Sequence, residues 1–159
     1  MADEKKSDKH IPLVGYVLKD VGRSAWDFYS WGHIDMGIMS FLIFSLFITV
    51  TQWMDPTAVI WLPWWSLMVM VLIFAVAWEI IENTILWQMG KKFENRKDSI
   101  YNSIWDIIFV MGGGFLMWLF KWIIMDLLGK AGRWYYLVGF ISFGIVLLFY
   151  FIGYFITSD

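Results

Sequence analysis

Three short stretches of this chain carry side chains able to bind a cation or move a proton. AWEIIENTI sets Glu79, Glu82 and Asn83 at spacing i, i+3, i+4, which puts all three on one helix face. DSIYNSIWDII sets Asp98, Asn102 and Asp106 at i, i+4, i+8, again one stripe, with Ser99 and Ser103 at its border. GHIDMG adds His33 and Asp35. Imidazole with carboxylates suits Mn, Fe or Zn, whereas carboxylates with an amide oxygen suit Mg or Ca. Glu79, Glu82, Asp98, Asp106 and His33 are therefore the candidate ligands of a divalent metal. Beside such a metal, which would polarise a phosphoryl or acyl oxygen, Glu79 or Glu82 is the candidate general base. The chain has neither the Glu-x-x-His pair of di-iron bundles nor the His-Glu-x-x-His of zincins.

The elements that position these groups are apolar. Of 159 residues 60% are hydrophobic and 16% charged, against about 45–50% and about 25% in a soluble domain. Four runs approach the roughly 20 residues that a membrane-crossing helix needs: about 36–54, 58–83, 103–125 and 134–157. They are continuously apolar rather than alternating, which excludes the strands of a membrane barrel. Asp55-Pro56 marks the first turn and Gly129 with Gly132 the last. The expected fold is an all-α membrane protein, a four-transmembrane-helix bundle preceded by an N-terminal amphipathic interfacial helix. Residues 1–15 read as a polar cytoplasmic tail rather than a secretory signal, 16–32 as the interfacial segment with Trp26, Tyr29 and Trp31 as belt residues, and 33–159 as the transmembrane domain.

Direction follows from the basic residues. Lys5, Lys6, Lys9, Lys19, Arg23, Lys91, Lys92, Arg96 and Lys97 fall on one side of the bilayer, and Lys121, Lys130 and Arg133 on the other. The positive-inside rule then puts both termini and the second-to-third loop in the cytoplasm. With that topology His33, the Glu79 stripe and the Asp98 stripe all approach the same leaflet. Intramembrane acids cost about 2.5–3.5 kcal/mol each on insertion scales, so three spans contributing such groups to one level point to a shared site. Gly112-Gly113-Gly114 would let another helix come close beside it.

Other classes fall away. A net charge of -2 leaves no cationic excess to hold nucleic acid. Cysteine is absent, which removes disulfides and thiolate ligands. His33 is the one histidine within reach of a span, His10 lying in the tail, so no haem with two His ligands is expected on this chain alone. Lys121 and Asp126 read as facing water or headgroups.

Trp78, Glu79, Glu82 and Asn83, followed by Asp98, Ser99, Asn102, Ser103 and Asp106, resemble the Trp-Glu-x-x-Glu-Asn and Asp-Ser-x-x-Asn-Ser-x-x-Asp elements of a family of small bacterial inner-membrane proteins of unknown function. His33 and Gly37 match that family's His four residues before Gly, and the likeness runs from about Gly32 to Phe115. Where the family carries a second His before the Gly, this chain has Met36, with Asp35 beside it as a substitute; Lys97 stands where a Gly is usual. The layout is more distantly similar to VanZ-like membrane proteins. The resemblance implies an inner-membrane location and no known reaction.

Two functions fit these residues. The chain binds a divalent metal or a lipid headgroup at the cytoplasmic side, as a lipid-modifying protein would. Alternatively it is a non-catalytic accessory or assembly subunit of a larger membrane complex, its polar cluster structural and its aromatic surface, 21% of the residues being Phe, Trp or Tyr, meeting partner helices as well as membrane lipids.

Overall fold

The computed structural model describes residues 12–158 apart from 56, 58, 93 and 94. Residues 1–11 of the tail, with Lys5, Lys6, Lys9 and His10, lie outside the described residues. Four helices are long and apolar enough to cross a membrane. These are α1 (Phe28–Met54), α2 (Trp64–Ile81, continued by a π-helical turn Glu82–Leu86), α3 (Ile100–Lys121, continued by a π-helical turn Trp122–Leu127) and α4 (Gly132–Ser158). An all-α four-helix membrane bundle is thus the observed architecture.

Local chemistry sets the boundaries. α1 begins well before residue 36 because Asp27 caps it: its carboxylate accepts from the Tyr29 N–H at 2.9 Å, and the Ser30 hydroxyl accepts from the Asp27 N–H at 3.1 Å. α2 starts only at Trp64, after Pro63, whose missing N–H costs nothing at a helix entry. α3 is capped by Ser99, which accepts from the Asn102 N–H at 3.1 Å.

The segment expected as an interfacial helix is different. It forms a short 3-10 turn at Leu18–Asp20 and a tight loop, tied by the Gly15 N–H to Trp26 carbonyl bond at 2.7 Å. Gly22 holds a φ of 72°, which a continuous helix of L residues does not accommodate. Trp26 and Trp31 are not free belt residues: Trp26 packs edge-on against Trp31 and Phe109, and Trp31 stacks on Phe149.

α1 is the central helix, packing most extensively on α3 and then α4, while α2 leans on α3. The α1–α3 seam depends on two glycines. A methyl group on Gly37 would collide with the Val110 carbonyl, and one on Gly113 with the Ile34 carbonyl. Backbones can approach this closely only where neither side carries a Cβ, and in lipid such van der Waals packing replaces the hydrophobic drive that associates helices in water. Gly114, next along, faces Val71 of α2. The buried core around this seam includes Ile38, Phe41, Leu67, Val71, Val110 and Met117. The helix exteriors are apolar and exposed, as lipid requires.

Candidate metal centre

α2 loses its regular winding where its polar residues stand. The π turn opens at Glu82, and such turns recur at functional sites because the extra residue re-aims side chains. Asn83 becomes the hub joining α2, α3 and the loop between them. Its amide nitrogen donates to Glu79 Oε2 at 3.2 Å and reaches Ser103 Oγ at 3.4 Å, while its oxygen accepts from the Asp98 N–H at 2.8 Å and from Lys92 Nζ at 2.9 Å.

From α1, His33 places Nε2 at 3.5 Å from Asp106 Oδ2 on α3, both side chains almost wholly buried. Two overlapping sets result, His33 with Glu79 and Glu82, and Glu79 with Asp98 and Asp106; within each, one ligand atom per residue lies within 4.8 Å of the others. Ligands on opposite sides of an ion bound at about 2.1 Å are about 4.2 Å apart, so a small contraction would let the three residues of either set share an ion. Glu79 belongs to both sets. His33 Nδ1, Glu79 Oε1 and Asp106 Oδ1 are buried with no hydrogen-bond partner among the described residues. Unsatisfied acceptors in such a place are rare in folded proteins and call for a proton, a water or an ion.

The N-terminal loop covers the cluster. Asn102 Nδ2 donates to the Ser24 carbonyl at 2.9 Å, the Ser99 N–H to the Gly22 carbonyl at 2.8 Å, and Arg96 to the Leu18 carbonyl at 2.8 Å. Gly22 passes directly over Asp98, where a Cβ would meet the carboxylate. Its N–H donates at 2.9 Å to Asp27 Oδ2, and burial raises the Asp27 carboxyl above its ordinary range although backbone bonds from Gly22, Tyr29 and Ser30 oppose the shift. Beneath the loop is a void of about 20 Å³ lined by His33, Glu82, Lys92, Asp98, Asn102 and Asp106. One ion or water fits where about 10–15 Å³ is free; a phosphate group does not.

Of the residues singled out in sequence, His33, Glu79, Glu82, Asn83, Asp98, Asn102 and Asp106 come together, and Ser99 borders them as the cap of α3. Asp35 does not. Two residues from His33 it points about 200° around α1, and both its oxygens are buried without a partner among the described residues. It therefore cannot replace a second His at this site. At the far end Lys121 departs from expectation, whereas Asp126 is exposed as expected. Lys121 is buried, paired with both oxygens of Asp126 at 2.7 and 2.8 Å and 4.7 Å above the Trp64 ring.

The sequence offers Lys92 only as a counter-ion to Glu79, Glu82 and Asn83 at a solvated helix end; its side chain is instead buried inside the cluster, paired with Asp98 and 3.5 Å from Glu82. The signal was Gly90, whose φ of 64° ends the helix and turns the chain back within two residues. Comparison of the chain with family models, curated proteins and solved structures finds no match.

Proposed function

We propose that this multi-pass membrane protein binds one divalent metal ion through His33, Glu79, Glu82, Asp98 and Asp106. The observation that carries the reading is the trio of buried, unpartnered ligand atoms, His33 Nδ1, Glu79 Oε1 and Asp106 Oδ1, beside a void with room for an ion that His33 and Asp106 line. Mixed imidazole and carboxylate donors favour Mn, Fe or Zn over Mg. The closed void favours an ion over a lipid headgroup. For chemistry on a headgroup the N-terminal loop would have to lift, and Glu79 or Glu82 would then be the base. The test is metal analysis of the full chain purified in mild detergent, stripped with chelator and reloaded with Mn or Zn. One tightly held ion per chain, lost in Asp106→Asn, supports the reading; no stoichiometric metal in the folded wild type overturns it.

Lys92 favours a second reading. Its ammonium already supplies a cation to Asp98 and Glu82, so the cluster could instead fix helix register in an accessory subunit of a membrane complex. Under this reading Asp106→Asn leaves metal content at zero and lowers assembly or protein level.

Orientation is a further part of the proposal: the basic loop and both termini face the cytoplasm of an inner membrane, a reading supported by the excess of Lys and Arg at the cluster end. The chain has no cysteine, so single-cysteine variants report cleanly. Thr57→Cys should react with an impermeant maleimide from outside the cell and Lys91→Cys only after lysis; the opposite pattern inverts the topology.

A further inference from the structure

At the end of the bundle opposite the carboxylates, α1 and α4 flank an open groove. The two helices meet closely where Gly153 faces Phe28 and where Gly139 faces Leu42. From there toward Gly132 they line a groove of about 580 Å³. On α1 the lining runs from Met39 to Trp53, about 21 Å at 1.5 Å per residue. Half of a bilayer including its headgroup region is about 20–22 Å thick, so the groove has the length of one lipid.

The groove is also polarised like a lipid. Its deep part is Met39, Leu42, Ile43, Leu46, Leu137 and Phe140, and its mouth holds Gln52 and Arg133. The hydroxyls between these parts are satisfied internally: Tyr136 bonds to Thr49 at 2.6 Å and to Ser45 at 2.9 Å, so the wall presents no competing polar group to a chain. No acid lines the groove among the described residues, which leaves the Arg133 guanidinium as its charge. A guanidinium fork beside a phosphate forms charge-assisted, commonly bidentate hydrogen bonds.

We infer that this groove holds one anionic phospholipid, an acyl chain along Met39–Leu46 and the phosphate on Arg133, in the leaflet opposite the metal centre. The lipid lies in the outer groove between α1 and α4, over the Tyr136 bonds that join the two helices.

Native mass spectrometry of the full chain in detergent, with added palmitoyl-oleoyl-phosphatidylglycerol or the phosphate-free palmitoyl-oleoyl-glycerol, tests this. The expected result is one adduct, favouring the phospholipid by roughly tenfold, the weight of one charge-assisted contact. Arg133→Gln should abolish that preference, and Leu46→Trp, at a side chain 44% exposed, should weaken binding of both lipids by filling the groove. Should Leu46→Trp fail to fold, Leu137→Trp on the facing helix makes the same test. Equal binding of the two lipids, an unchanged Arg133→Gln, a ladder of many adducts, or competition by inorganic phosphate alone each overturns the proposal.

Discussion

Asp106 on α3 and His33 on α1 meet at 3.5 Å, Oδ2 to Nε2, inside the membrane-spanning part of the bundle. Each keeps its other hetero-atom buried and without a partner among the described residues. The pair therefore links the central helix to its main neighbour and still offers two free ligand positions. Asp106→Asn preserves the shape while removing a charged donor. It should lower Mn or Zn affinity by at least about tenfold, since even groups that only orient ligands are worth about 10–100-fold. Thermal stability of the metal-free protein should hold or rise, because a buried carboxylate is relieved. Metal titration and thermal scans on the same preparation check both.

Lys92→Met separates the two readings of the cluster. Removing the cation leaves Asp98 and Glu82 without their ammonium, and stability of the metal-free protein should fall by about 3 kcal/mol or more. If the cluster is a metal centre, added Mn or Zn restores it and the metal-induced rise in Tm exceeds that of the wild type. A Lys92→Met protein that metal does not rescue would leave only the structural role.

The seam glycines give a packing prediction. Gly37→Ala and Gly113→Ala each put a methyl group into the facing backbone, and overpacking costs about 1–3 kcal/mol. Gly112→Ala is the control, since nothing lies within 4 Å of its added carbon; it should change stability by less than about 0.5 kcal/mol. Tm in detergent, measured for all three, decides whether the seam is as close as described.

Asp27 predicts a pH dependence. Burial raises its folded pKa above the unfolded value of 3.8, so the folded state binds this proton more tightly than the unfolded chain. Its contribution to stability is therefore smallest above the folded pKa and grows as pH falls through the window down to 3.8. Compared with Asp27→Ala, which also loses the helix cap at a cost of about 1 kcal/mol, the wild type should gain relative stability on acidification. A gap that narrows instead would contradict the assigned burial.

Arg96 ties the N-terminal loop to the cluster through carbonyls at Leu18, Lys19 and Val21. Arg96→Ala should speed hydrogen exchange of amides between residues 17 and 24 several-fold. Amides in the middle of α1 and α3 should keep their protection, because their bonds lie within the helices.

Sequence by itself determined the number of spans and which side chains share a stripe. Hydropathy and the 3.6-residue period are properties of one helix at a time, so Glu79 with Asn83 and Asn102 with Asp106 were legible in advance, whereas Asp98, expected on the same helix stripe, stands in the loop before the Ser99 cap. Tertiary structure alone decided which stripe meets which. Asp35 and His33 are near neighbours in sequence, yet Gly37 and Gly113 clamp α1 against α3 in a rotation that turns His33 toward Asp106 and Asp35 away from it. The return of Lys92 and the closing loop around Gly22 were likewise hidden. The loop is held by bonds between segments more than seventy residues apart, such as Asn102 to Ser24, a range on which a local pattern is silent; Lys92 turns back after Gly90 to partners six to ten residues away, Asp98, Asn83 and Glu82, and only the packing of the helices around them decides its burial.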